Sequence, residues 1–239
     1  MTTENRSFRS HRRPRLDTRG SVRRSRAIVR ALEREIPTYA EPVVGKRRVT
    51  GRDPFKILIA AVLSARTRDA ATERAARQLF RRAATPEALL RLSEREIARL
   101  IAPVGMYPTK ARWLREIAHL LRERHGGRVP RTMTALLGLP GVGRKVANLV
   151  LGLAFGIPSI CVDTHVHRIS NRLGLARTRT REDTERALAR VLPRDLWIRW
   201  NNLLVTWGQN VCVPVSPWCS RCVLNHRKLC PRVGVRKSR

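Results

Sequence analysis

From Ala27 onward apolar and polar positions alternate with a period near that of an α-helix, and no run of useful length alternates with the period of two that a half-buried strand needs. The stretch Arg144 to Phe155 is the clearest case, with Val146, Leu149, Val150 and Leu153 at i, i+3, i+4 and i+7. Thr109 to Arg124 carries Trp113, Ile117, Leu120 and Leu121 on one stripe. The same pattern predicts helices over Ala27 to Ile36, Asp69 to Arg82, Thr164 to Leu173, Arg181 to Val191 and Asp195 to Gly208, and a short one over Thr132 to Leu137. Pro54 to Leu63 is apolar on nearly every face and predicts a buried helix, capped by Asp53 with Pro54 at its first position. Ser93 and Glu96 have the spacing of a capping box for a helix through Ile101. An all-α fold is expected.

Charge changes the picture from a generic helical protein to one with a polyanionic partner. The 239 residues hold 50 Lys and Arg against 18 Asp and Glu, a formal net charge of +32. Self-repulsion of that size opposes folding, and nucleic acid is the partner that relieves it by releasing counterions from phosphates. A hydrophobic content of 42% is that of a globular chain. The longest apolar stretch, Leu149 to Val162, is too short to span a bilayer and is broken by Pro158. The N-terminus has no apolar signal core. Residues 1–25 predict a disordered basic arm, whose Arg- and Ser-rich composition also suits an organellar transit peptide. A cytoplasmic, nucleoid-associated monomer is expected, with organellar import as the alternative.

Three clusters carry candidate chemistry. The first is Leu139-Pro140-Gly141-Val142-Gly143-Arg144-Lys145, a glycine-rich turn leading straight into a helix. Bare glycine backbone beside unpaired helical N–H groups makes a seat for phosphate. Lys145 stands in the first turn of that helix, where the partly positive terminus and Arg144 favour a neutral amine. It is either a Schiff-base nucleophile or a phosphate contact. The second is Asp163, at a helix start, where a plain N-cap is the alternative to a catalytic carboxylate. The third is Cys212, Cys219, Cys222 and Cys230, separated by six, two and seven residues. One close pair with two flanking cysteines serves either zinc or a cubane, and four thiolates in one compact loop suit a [4Fe–4S] cluster. The isolated Cys161 is expected to be a small core residue.

These segments together resemble the endonuclease III family of DNA glycosylases. "LPGVGRKVANLVL" is similar to the family's helix-hairpin-helix, and "VDTHVHRISNRLGL", "PFKILIAAVLSARTRD" and "GMYPTKA" match further family segments, over Ala27 to Cys230. The resemblance implies two helical domains with a cleft between them. One is a six-helix barrel with the hairpin at 48–157. The other is an iron–sulfur domain built from 26–47 and 158–232, followed by a basic tail at 233–239. It implies Lys145 as catalytic nucleophile, Asp163 as catalytic carboxylate and the four cysteines as ligands of a [4Fe–4S] cluster. The implied activity is excision of oxidised pyrimidines from damaged double-stranded DNA, with lyase cleavage of the strand. Rivals are a monofunctional mismatch glycosylase and a non-catalytic DNA-binding iron–sulfur protein. DNA contacts are expected from Arg66, Met106, Leu139, Gly141, Gly143 and Arg144. The chain departs from the family in three places. Arg66 stands where glutamine is usual, Met106 where leucine is common, and the last cysteine gap is two residues longer. His165 and His167 are expected to be structural.

Overall fold

The computed structural model describes residues 18–39 and 42–239. Thirteen α-helices lie among them: α1 (Thr18–Glu35), α2 (Arg47–Thr50), α3 (Pro54–Ser64), α4 (Asp69–Arg82), α5 (Pro86–Leu90), α6 (Glu94–Ile101), α7 (Tyr107–His125), α8 (Met133–Leu137), α9 (Arg144–Phe155), α10 (Thr164–Arg172), α11 (Arg181–Val191), α12 (Trp197–Asn210) and α13 (Val223–His226). No strand occurs among the described residues, so the fold is all-α.

The caps form as the local sequence requires. Asp53 Oδ1 accepts from the amides of Phe55 and Lys56, at 2.8 and 3.1 Å, ahead of α3. Ser93 and Glu96 close a reciprocal capping box on α6. One expectation is corrected: α1 begins at Thr18, so residues 18–25 are helical and do not belong to a disordered arm. Its N-terminal half is held by distant contacts. Ser25 is fully buried, and Arg24 Nε donates to Leu229 O at 3.1 Å. The rest of the expected arm lies outside the described residues.

Buried side chains form two clusters. The first gathers α3, α4, α6, α7 and α9. Helix α3 is its spine, with every residue from Phe55 to Leu63 except Lys56 buried, packed on α4 and α9. The second gathers α1, α10, α11, α12 and the C-terminal cysteine region around Trp200 and Trp207. Val43 and Val44, expected with the second group, pack in the first.

The segment between α9 and α10 runs along the seam. Cys161 packs into the first cluster, while its neighbours Ile160 and Val162 pack into the second. Its polar atoms pin it in place. Ser159 Oγ donates to Asn148 O at 2.7 Å, Cys161 Sγ to Lys145 O at 3.4 Å, and Asn201 Nδ2 to Cys161 O at 3.0 Å. Asp163 follows directly, so the register of this segment fixes where its carboxylate stands relative to α9.

Candidate active site

A cleft of about 700 Å³ opens along that seam and is lined from both clusters, with Lys145 on one wall and Asp163 on the other. Both side chains are partly exposed. Lys145 Nζ makes no hydrogen bond or ion pair among the described residues, which leaves its lone pair free for chemistry once deprotonated. Asp163 is the N-cap of α10: its Oδ1 accepts from the amides of His165 at 2.9 Å and Val166 at 2.8 Å. Both cap bonds fall on one oxygen, and Oδ2 takes no part in them. Capping and a reactive carboxylate are therefore compatible roles for one side chain.

His165 also lines the cleft. Burial lowers its pKa, and the nearby Asp163 charge opposes that shift. Its Nδ1 lies 3.1 Å from Arg168 Nη2, and a Cβ on Gly208 would come within 2.5 Å of that same nitrogen. Gly208 thus lets α12 approach α10. His167 Nδ1 is bonded to Thr184 Oγ1 at 2.6 Å. His167 therefore ties α10 to α11.

The hairpin between α8 and α9 separates the expected DNA contacts into two kinds. Gly141 has φ +73, and an added Cβ would lie 2.5 Å from Trp113 Cε3. Gly143 is extended, open, and caps α9 with no side chain. Leu139 is a correction: its side chain is 4% exposed. Its amide donates to Leu136 O and its carbonyl accepts from Val142 N, each at 3.1 Å. It is a core anchor with nothing left to offer a phosphate. Arg144 is also committed, pairing with Glu185 through Nε at 2.9 Å and Nη2 at 2.8 Å. That partner offsets the like-charge repulsion on Lys145 expected from the sequence. Gly141→Ala is expected to cost about 2–4 kcal/mol in a urea melt, because positive φ and a rigid indole both oppose the methyl. Gly143→Ala should stay within about 1 kcal/mol.

Arg66, which lines the cleft, and Met106 are both exposed and occupy the left-handed region at φ +53 and +58. Such backbone costs a non-glycine residue about 1 kcal/mol or more and concentrates at working sites.

Residues 59–194 match the family described as HhH-GPD superfamily base excision DNA repair protein. Endonuclease III of Thermotoga maritima is 49% identical over 183 residues, covering 76% of this chain and 86% of its own. This chain belongs to the endonuclease III family. The longer endonuclease III-like protein 1 of Bos taurus is 39% identical over 180 residues, with 74% of this chain matched to 58% of that one. A structure of a trapped endonuclease III–DNA covalent intermediate superposes with a TM-score of 0.76 at 34% identity, covering 88% of this chain and 95% of that one.

Members of the endonuclease III family generally carry a [4Fe–4S] cluster. Here Cys212, Cys219, Cys222 and Cys230 all fall in the C-terminal region after α12, and Cys230 lies within electrostatic reach of the other three. Burial pushes the Cys230 thiol up to about 11 and raises that of Cys222. Among the described residues no three His, Cys, Asp or Glu side chains converge on a single-ion site. A cubane spreads its thiolates wider than one ion does. The surroundings suit an anionic group: Arg172 Nη1 donates to Cys212 Sγ at 3.3 Å, and Arg168 and Arg24 lie near Cys212 and Cys230.

Residues 213–218, between Cys212 and Cys219, include no basic residue. The fold brings cations to that loop from elsewhere. Arg221 and Arg239 stack on the Trp218 ring at 4.4 and 3.9 Å, and Arg172 Nη2 donates to Pro214 O at 2.7 Å. The tail expected at 233–239 is docked, with the Arg239 amide donating to Pro217 O at 2.9 Å. Lys110, which no spacing along the chain marks out, is buried behind the Arg66 turn.

Proposed function

We propose that this chain is a base-excision DNA glycosylase with associated abasic-site lyase activity, acting on oxidised pyrimidines in duplex DNA. The observation that carries this reading is one cleft walled by Lys145, unpaired among the described residues, and by an Asp163 carboxylate with one oxygen outside its cap bonds, in a strongly cationic chain. Basic surfaces and the bare amides near Gly141 and Gly143 take phosphates. Arg66 and Met106 occupy the gap left as the damaged nucleotide turns out of the stack.

Lys145 Nζ, uncharged, attacks C1′ of the deoxyribose. The C1′–N bond breaks and its electron pair leaves with the base, which takes up a proton. Asp163 stabilises the positive charge developing at C1′ and accepts the proton lost by the amine. Opening of the sugar ring leaves an imine between Lys145 and C1′. Removal of a C2′ proton then expels the 3′ phosphate by β-elimination, and water hydrolyses the imine to free the lysine. Borohydride reduces that imine to a stable enzyme–DNA adduct, which makes trapping on a lesion-bearing duplex the direct test.

The four cysteines would hold a [4Fe–4S] cluster that pins the C-terminal region by covalent ligation. Protein purified anaerobically should be brown and contain about four irons per chain. Cys230→Ala should lose both colour and iron and melt at lower temperature. Zinc in place of iron in the native protein would refute the assignment. No described helix is long and apolar enough to cross a membrane. A monomer acting in the cytoplasm on nucleoid DNA, built of two domains around the two cores, completes the proposal.

A further inference from the structure

Lys110 is a buried cation with no part in that chemistry. It sits in the first turn of α7, is 1% exposed, and burial pushes its amine down to about 8. No carboxylate pairs with it among the described residues. Its Nζ donates instead to Leu63 O at 2.8 Å, Ala65 O at 2.6 Å and Thr67 Oγ1 at 3.0 Å. All three acceptors lie at the end of α3 or in the turn that carries Arg66.

That turn has a defined type. The Thr67 amide donates to Ser64 O at 3.2 Å, Ala65 has φ −60 and ψ +120, and Arg66 has φ +53. These are the values of a type II turn, whose third position is ordinarily glycine. Type II differs from the common type I in the orientation of its central peptide, here Ala65–Arg66. The carbonyl of that peptide is Ala65 O, which receives the shortest bond from Lys110 and a second from Thr67 Oγ1 at 3.3 Å. Flipping the peptide would relieve Arg66 of its positive φ but strip an acceptor from a buried ammonium, which is the costlier loss. Thr67 Oγ1 also accepts from the Gly105 amide at 3.3 Å, next to Met106. The two turns touch, since a Cβ on Gly105 would come within 3.1 Å of Arg66 O.

We infer that Lys110 is a positioning residue for base expulsion. By fixing the Ala65–Arg66 peptide, and through Thr67 the Gly105–Met106 turn, it aims Arg66 and Met106 into the duplex as one rigid wedge. The inference rests on the reading of those turns as the elements that replace an extruded nucleotide.

The test uses Lys110→Met, which keeps the apolar stem, and the isosteric Thr67→Val. Three readouts are compared: single-turnover base release from a duplex lesion, strand cleavage at a preformed abasic site, and fluorescence of 2-aminopurine opposite the lesion in a Lys145→Ala background. Base release and the fluorescence rise should fall about tenfold or more, while abasic-site cleavage, which expels no base, stays within about threefold. Thr67→Ser should restore activity, and Lys110→Met should add little to Arg66→Ala, because both act through one wedge. Equal losses on both substrates, full additivity with Arg66→Ala, or an unchanged fluorescence signal would overturn the inference. If the wild-type chain released no base while its fluorescence signal still depended on Lys110, the glycosylase reading would fail and the wedge would stand.

Discussion

Lys145→Ala is expected to abolish the borohydride-trapped adduct and to lower strand cleavage at an abasic site by about 10³-fold or more. Protein stability and DNA affinity should barely change. The side chain is partly exposed and Nζ has no protein partner among the described residues, so truncation leaves no orphaned group. Alanine is also the better helix former at that position of α9. One cation among the 50 Lys and Arg is removed, so the slope of affinity against salt should fall by about one at most. The measurement is a trapping gel beside a binding titration on the same duplex. Wild-type levels of adduct in the variant would mean that another amine does the chemistry, and the assignment would be lost.

Asp163→Asn should release the base about 10²–10⁴-fold more slowly, with stability held within about 0.5 kcal/mol. Asparagine caps a helix as well as aspartate does, and its Oδ1 can keep both bonds to the amides of His165 and Val166. What it removes is the negative charge facing C1′ and the capacity to take the amine's proton. Asp163→Ala adds a second loss, about 1 kcal/mol of cap energy. The pair of variants therefore separates the two roles that the sequence left open. Unchanged single-turnover base release in Asp163→Asn would leave Asp163 as a cap only.

The elements that were legible in the chain are those decided within one or two helical turns. Asp53 and Pro54 begin α3, Ser93 and Glu96 box α6, and the apolar stripe of α9 needs no partner to be recognised. The start of α1 was not legible, because its first turns are arginine-rich and gain their support from Leu229, a contact 205 residues away. Arg144 likewise gave no sign of its partner: Glu185 lies on α11, 41 residues on. Leu139 looked like part of a phosphate-binding loop because its neighbours are glycines, yet it faces inward, where apolar area leaves water.

The sequence by itself determined the long amphipathic helices, the family, and which amine and carboxylate to consider, because periodicity, capping and motif spacing are local properties of the chain, whereas α2, α5 and α13 are too short to show a period. The family resemblance implied that Lys145 and Asp163 face one another across a cleft, and only the tertiary structure shows what holds them there. That is a seam segment whose side chains alternate between two cores and whose Cys161 is tied to the Lys145 carbonyl. Only the tertiary structure, too, gave Lys110 its acceptors. A buried ammonium must be satisfied by whatever carbonyls packing brings to it, and no spacing along the chain encodes which those are.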